Sequence, residues 1–93
     1  MMADWDLTQY PELRNVFPEL TTAEFEVSLL FAFGISQKEI SALRSVSYRV
    51  IQREIESAKS KFETKSLTQL LTVFHVRLML FALSCCSKKP GKA

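Results

Sequence analysis

The chain has 93 residues, of which 47% are apolar, with two glycines, three prolines and a net charge of +2. This length predicts one domain with a single core and no separate sensor domain. The apolar fraction excludes a disordered chain, and the scarcity of turn residues favours an all-α protein.

The charge is spread unevenly along the chain. Residues 1–26 carry one base against six acids, a net charge of −5, whereas residues 38–65 carry seven bases against four acids, a net charge of +3. One side of the folded protein is therefore expected to be basic enough to meet phosphate groups. The acidic start of the chain is unlike a signal peptide, which predicts a cytoplasmic protein.

The sequence offers little for catalysis or metal binding. Cys85 and Cys86 are neighbours and cannot link distant segments. His75 lies ten residues before Cys85, a spacing that matches no usual zinc site. No phosphate-binding glycine loop or paired carboxylates accompany this histidine. We therefore expect no enzyme activity, no metal and no cofactor.

Residues 1–19 are interpreted as an N-terminal extension ahead of the first long helix. A short helix is expected to open at Pro11, because proline is favoured at the first helical position. The apolar residues of the extension are Trp5, Leu7, Tyr10, Leu13, Val16 and Phe17.

The first long helix is predicted over residues 21–33. Thr21 and Glu24 have the spacing of a capping box, which satisfies the free N–H groups at a helix start, and Gly34 can end the helix. One face carries Val27, Leu30 and Phe31. The opposite face carries Phe25, Leu29, Ala32 and Phe33. A helix that is apolar on two sides needs two partners. The alternatives for the second partner are the segment 5–17 and a second copy of the chain.

A short helix, a turn and a longer helix are predicted over residues 36–62. Ser36 and Glu39 form a second capping box, and this helix, over residues 36–43, is expected to bury Ile40 and Leu43. Ser47 begins the longer helix, over residues 47–62, whose inward stripe is Ile51, Ile55, Ala58 and Phe62. A step of 100° per residue then puts on its outer face Arg49, Gln52, Arg53, Glu56 and Ser60.

The last helix is predicted over residues 66–83, starting at a third capping box of Ser66 and Gln69. Its core face carries Leu67, Leu70, Leu71, Phe74, Leu78 and Phe81. Its opposite side carries Val76, Leu80 and Leu83. The stretch is about as long as a membrane-spanning helix, but the central Arg77 argues against a span. We expect no membrane partner, and we expect residues 87–93 to be a flexible basic tail.

The predicted pair of helices is typical of a helix-turn-helix unit, in which the second helix enters the major groove of DNA. Arginine and glutamine match the hydrogen-bonding edges of guanine and adenine. The start of the second helix, with Ser47 and Tyr48, is placed to hold a phosphate.

Residues 20–71 resemble the DNA-binding domain of the LuxR/FixJ/NarL family of bacterial regulators. The residues shared with the family pattern are Leu20, Thr21, Glu24, Val27, Leu30, Ala32, Gly34, Ser36, Lys38, Glu39, Ile40, Ser47, Ile51, Lys61, Phe62, Ser66 and Leu70. The resemblance implies a four-helix fold whose third helix reads DNA and whose fourth helix pairs in a homodimer. It also implies phosphate contacts at Lys38 and Lys61, with Gln52 and Arg53 facing the groove.

The chain departs from that family pattern at several positions. Val50 stands in place of a threonine, Glu54 in place of a histidine, Arg44 in place of a core leucine and Ser45 in place of a turn glycine. Glu56 puts an acid on the outer face, where it repels phosphate, although it can accept from a cytosine amino group.

The sequence therefore predicts a four-helix, homodimeric DNA-binding transcription regulator over residues 20–86, located on the bacterial nucleoid when bound. The expected DNA contacts are Lys38, Ser47, Tyr48, Arg49, Gln52, Arg53 and Lys61. The expected dimer contacts are Val76, Leu80 and Leu83. The alternative is a protein-interaction module of the same fold that binds another transcription regulator without reading DNA.

Overall fold

The computed structural model describes residues 11–87, with side chains described as far as residue 85. Over this range the chain forms five helices and no strand: α1 (Pro11–Arg14), α2 (Thr22–Ala32), α3 (Gln37–Arg44), α4 (Tyr48–Lys61) and α5 (Leu67–Ser87). The predicted all-α class is confirmed for these residues, and the short helix expected at Pro11 is present. Trp5, Leu7 and Tyr10 of the candidate cover, and the basic residues after α5, lie outside the described residues.

The helices begin at the hydroxyl residues predicted from the sequence. Thr21 and Ser36 each accept a hydrogen bond from the backbone N–H three residues on. The carboxylates of Glu24 and Glu39 accept in return from the N–H of the capping residue. Ser47 caps α4 through its hydroxyl alone. Three local signals therefore place the starts of α2, α3 and α4.

Helix α5 differs from the prediction at both ends. The Ser66 hydroxyl accepts from the Gln69 N–H at 3.1 Å, but the Gln69 side chain accepts from the N–H of Lys65, at 2.6 Å, rather than from that of Ser66. The helix also continues past residue 83 to Ser87. No glycine or proline occurs between Ser66 and Pro90, so nothing in the local sequence breaks the helix earlier.

Three turns between helices contain a residue in the left-handed backbone region. They are Gly34 after α2, with φ 96°, Ser45 after α3, with φ 56°, and Glu63 after α4, with φ 56°. A residue in this conformation closes a helix by letting the following N–H groups reach back to free carbonyls. Glycine adopts it without steric cost, whereas Ser45 and Glu63 carry a Cβ that opposes it.

Helix α2 lies at the centre of the core and is buried on nearly all sides. Its buried residues are Glu24, Phe25, Val27, Ser28, Leu29, Leu30 and Ala32. One side packs against α4 and α3. The other side packs against α5 and the segment that leads into α2. Phe33, at the end of the helix, stays 56% exposed.

The end of the N-terminal extension, together with α5, provides the second cover for α2. Phe17 is fully buried; its ring centroid lies 5.7 Å from that of Phe25 in α2 and 4.2 Å, in a stacked arrangement, from that of Phe74 in α5. The Arg14 guanidinium lies 5.5 Å from the Phe25 ring centroid and donates to the carbonyl oxygens of Phe17 and Leu20. Phe17 of the extension therefore covers this side at Phe25, and cover by a second copy of the chain stays a prediction.

The prediction that α3 buries Leu43 beside Ile40 is wrong. Ile40 is fully buried, but Leu43 is 38% exposed. The reason is the next residue, Arg44, whose Nη1 lies 2.8 Å from the Glu26 carboxylate on α2. This ion pair occupies the contact between α2 and α3 that an apolar side chain was expected to fill.

Helix α5 joins the core through its N-terminal half. Leu70 and Phe74 are fully buried, and Leu67, Leu71 and Leu78 pack against the core. Arg77 forms a polar anchor on the same helix. Its guanidinium donates to the Val16 carbonyl oxygen at 2.9 Å and to both carboxylate oxygens of Glu19, at 2.9 and 2.8 Å.

Candidate nucleic-acid interface

The α3–turn–α4 unit gives α4 a fixed orientation. Ile51, Ile55 and Ala58 of α4 are buried against the rest of the domain. The ion pair of Arg44 with Glu26 joins α3 to α2. Because α3 and α4 are both held against α2, the side of α4 that faces away from the core is presented by a rigid support.

The outer face of α4 is open to solvent. Arg49, Gln52, Arg53, Glu56 and Ser60 are all exposed. Arg49 and Arg53 lie four residues apart, which places the two guanidinium groups on the same side of the helix, one above the other. This face therefore offers two cations and a carboxamide to whatever approaches α4.

Three other expected contacts border this face. Lys38, in the first turn of α3, is exposed, as are Ser47 and Tyr48 at the start of α4. The Ser47 oxygen accepts from the Val50 N–H at 3.2 Å. Its O–H is still able to donate, because capping uses only the oxygen lone pairs.

Glu54 and Glu56 depart from the family pattern, but they bring less negative charge to the outer face of α4 than the sequence implies. The Glu56 carboxylate lies 3.3 Å from the Lys59 ammonium, which offsets part of its negative charge. Glu54 is half-buried, and the helical step places it about 140° around α4 from Arg49. Only Glu56 therefore shares the outer face, and it has a cation beside it.

Lys61, for which the resemblance implied a phosphate contact, pairs with an acid of α2. Its ammonium lies 2.7 Å from the carboxylate of Glu24, a buried residue of α2. Ser57 of α4 donates to the other oxygen of the same carboxylate. Lys61 therefore joins α4 to α2, but its side chain is 37% exposed, and its contact with phosphate stays a prediction.

Glu24 stays ionised in this cluster. Burial by itself raises the pKa of the Glu24 carboxyl group, but hydrogen bonds from Lys61, from Ser57 and from the Thr21 N–H outweigh burial and lower its pKa from 4.5 to about 2. The charged form is thus strongly favoured at neutral pH.

An open cleft of about 480 Å³ adjoins the outer face of α4. It is lined by Gln37, Gln52, Arg53, Ile55, Glu56 and Leu67. Three of these residues belong to the outer face, whereas Gln37 comes from the start of α3 and Leu67 from the start of α5. Sequence reasoning missed Gln37, because periodicity describes the faces of one helix and not the side chains that a neighbouring helix places beside it.

The candidate dimer residues lie on the part of α5 that faces away from the core. Val76, Leu80 and Leu83 are exposed, and Met79, which sequence reasoning did not include, is 60% exposed on the same side. His75 borders this side, with its Nε2 2.9 Å from the Ala32 carbonyl oxygen at the end of α2. The structure therefore has an apolar stripe here, separate from the outer face of α4.

The described residues give weak grounds for a membrane span and none for a metal site. Among their helices, α5 is the one whose length and apolar composition would allow it to cross a membrane. One such helix is weak evidence for a span: Leu70 and Phe74 of α5 are fully buried within the domain, but only 11% of the stretch Leu67–Cys85 is buried. No group of three or more His, Cys, Asp or Glu side chains in this part of the chain is placed to hold a metal ion.

Comparison with protein-family models, with curated proteins and with solved structures finds no match to this chain. The likeness of residues 20–71 to LuxR-type domains therefore rests on sequence motifs, and the α3–α4 geometry is the basis for assigning a function.

Proposed function

We propose that this chain is a DNA-binding transcription regulator of the bacterial cytoplasm that places α4 in the major groove and acts as a homodimer. The observation that carries the proposal is the exposed outer face of α4, with Arg49, Gln52 and Arg53 on it. A capped short helix, a tight turn and a longer helix with such a face have the arrangement of a helix-turn-helix reader.

Each residue of the interface has a chemical role in this proposal. Arg49 and Arg53 offer paired N–H donors to the O6 and N7 acceptors of guanine, and Gln52 offers a donor and an acceptor to adenine. Lys38, Ser47 and Tyr48 lie beside this face and contact phosphate oxygens, which fixes the position of α4 without reading sequence.

The homodimer forms through the outer stripe of α5 in this proposal. Val76, Met79, Leu80 and Leu83 recur at helical spacing, and Leu80 is 60% exposed. An apolar stripe of this kind favours association with a second helix. A two-fold pairing of α5 would give each dimer two copies of α4, and hence two DNA half-sites related by the same symmetry.

Selection of bound sequences from a random duplex pool tests the proposal. We expect an enriched inverted repeat, because a two-fold dimer reads the same half-site twice. Binding should also weaken steeply with salt, since each phosphate contact releases counterions. Failure to shift any duplex at low salt, with the protein folded, would contradict DNA binding.

A charge-conserving variant separates base reading from general attraction. Arg53→Lys keeps the positive charge but loses the paired donors, so we expect binding to random duplex to persist while discrimination at one base pair falls by about ten-fold or more. Arg53→Ala should weaken both. Thr72→Ala, at an exposed position of α5, is the matched surface control and should change neither.

A second candidate function is a protein-interaction module that binds another transcription regulator without touching DNA. The apolar outer stripe of α5 favours it, because such a stripe accepts a foreign helix as well as a copy of itself. The acid Glu56 on the outer face of α4 also favours it.

Two variants distinguish the candidates. Arg53→Ala should abolish regulatory activity if the chain reads DNA and leave it intact if the chain acts only through a partner. Leu80→Glu should impair both functions, because it puts a charge in the apolar stripe. An unchanged elution volume of Leu80→Glu on a sizing column would show that α5 is not the dimer contact.

A further inference from the structure

The start of α3 contributes a polar side chain to the cleft beside the outer face of α4. Gln37 is the first residue of α3 and lines this cleft together with Gln52 and Arg53. Its side chain is half-buried. The lining also includes Ile55 and Leu67, which offer no side-chain hydrogen-bond partner to an amide.

Gln37 has unused hydrogen-bonding capacity. A carboxamide carries two N–H donors and one oxygen acceptor, and no side-chain hydrogen bond of Gln37 occurs within the described part of the chain. Its neighbour in the first turn of α3, Lys38, is exposed. The start of α3 therefore holds an unpaired amide and a cation next to the face that carries Gln52 and Arg53.

Resting on the proposed DNA binding, we propose that Gln37 is a further DNA contact whose amide N–H donates to a phosphate oxygen. In the proposed complex, Gln52 and Arg53 point to the floor of the DNA major groove. The protein cleft that they share with Gln37 then faces a side wall of that groove. The walls of the groove are the phosphate backbones, whereas base edges lie on its floor. A side chain that projects from α3, outside the inserted helix, thus meets phosphate rather than bases.

Salt dependence of binding tests this contact with a matched pair of variants. Gln37→Lys and Asn15→Lys both replace an amide by a cation and give the same net charge. Asn15 is exposed and lies two residues before Phe17, whose ring stacks on that of Phe74 in α5. In Gln37→Lys the slope of log Kobs against log salt should become steeper by about 0.9, the value for one added phosphate contact. The slope of Asn15→Lys should equal that of the wild type.

Gln37→Ala provides the second measurement. It should weaken binding by about ten-fold or more, as for loss of one hydrogen bond to a charged acceptor, and by the same factor on the selected site and on random duplex. An unchanged thermal midpoint shows that the variant folds normally. A loss confined to one base pair of the site would overturn the phosphate contact, because it would make Gln37 a base reader.

The role of Gln37 and the proposed function fail in different ways. Equal salt slopes for the two lysine variants, with wild-type binding intact, would overturn only the role of Gln37. Wild-type protein that shifts no duplex would overturn both.

Discussion

The ammonium of Lys61 lies 2.7 Å from the carboxylate of Glu24, which fixes the last turn of α4 to the first turn of α2. The same carboxylate accepts from the Thr21 N–H and from the Ser57 hydroxyl. One buried acid therefore both caps α2 and helps to fix the position of α4, so its ionisation state affects the whole α3–turn–α4 unit.

Acid should destabilise the protein through Glu24. The pKa of Glu24 is about 2 in the folded state, below the ordinary value of 4.5, so its contribution is fully present above about pH 4.5 and is lost as the pH falls towards 2. The contribution is about 3 kcal/mol, from the size of this shift. Denaturant unfolding at pH 7, 4 and 3 measures it. Glu24→Gln should be less stable at pH 7 and should lose much less on acidification; an identical acid response in both proteins would contradict this role.

Removal of Arg77 should cost more than removal of its carboxylate partner. The Arg77 guanidinium donates to the Val16 carbonyl oxygen and lies 5.5 Å and 4.9 Å from the ring centroids of Phe17 and Phe62, besides pairing with Glu19. We expect Arg77→Ala to lower the free energy of unfolding by about 2 kcal/mol, because it removes these contacts together.

Glu19→Gln is the comparison variant for Arg77. The ion pair of Glu19 with Arg77 is partly exposed, so its loss should cost about 1 kcal/mol. Urea unfolding of both variants gives the two costs. Equal costs would mean that the carbonyl and ring contacts of Arg77 add nothing.

Glycine at position 45 should stabilise the protein. Ser45 adopts φ 56° and ψ 41° in the turn between α3 and α4, a conformation that glycine reaches without steric cost. We expect Ser45→Gly to raise the free energy of unfolding by about 0.5–1 kcal/mol, the strain relieved less the added entropy of the unfolded chain. Gly34→Ala, at φ 96°, should act in the opposite direction. Thermal unfolding of the pair checks both signs.

Alanine at position 28 should also stabilise the protein. The Ser28 hydroxyl is buried in α2 and has no hydrogen-bond partner, so folding removes it from water without compensation. Ser28→Ala removes that cost and improves helix propensity, which should raise the free energy of unfolding by about 1 kcal/mol. Ser60→Ala, at an exposed site of α4, gives the propensity effect alone. A gain no larger for Ser28→Ala than for Ser60→Ala would show that burial of the hydroxyl costs nothing.

The helices and their starts could be predicted from sequence because their causes are local. A capping box needs only two residues three positions apart, and the inward stripe of α4 follows from the helical repeat. The structure accordingly has α4 over Tyr48–Lys61, within one residue of the predicted bounds at each end. The exposed Arg49 and Arg53 follow from the same repeat.

The features that sequence reasoning missed depend on contacts between distant residues. Leu43 is exposed because the next residue, Arg44, forms an ion pair with Glu26 on α2. Lys61 pairs with Glu24, a buried residue 37 positions earlier. The apolar repeat along the chain gives no information about these two ion pairs. From the sequence alone, Lys61 fits a phosphate contact equally well.

Phe17 joins the N-terminal extension to the core, so the stability of the domain depends on an intact chain between Phe17 and Thr21. After a proteolytic cut between Phe17 and Thr21, noncovalent contacts alone would hold the Phe17 ring against Phe25 and Phe74. Deleting a buried phenylalanine side chain typically costs about 3–5 kcal/mol, a large part of the total stability of so small a protein. Dissociation of the cut segment would therefore destabilise the core that supports α4, although the severed bond lies outside the α3–turn–α4 unit.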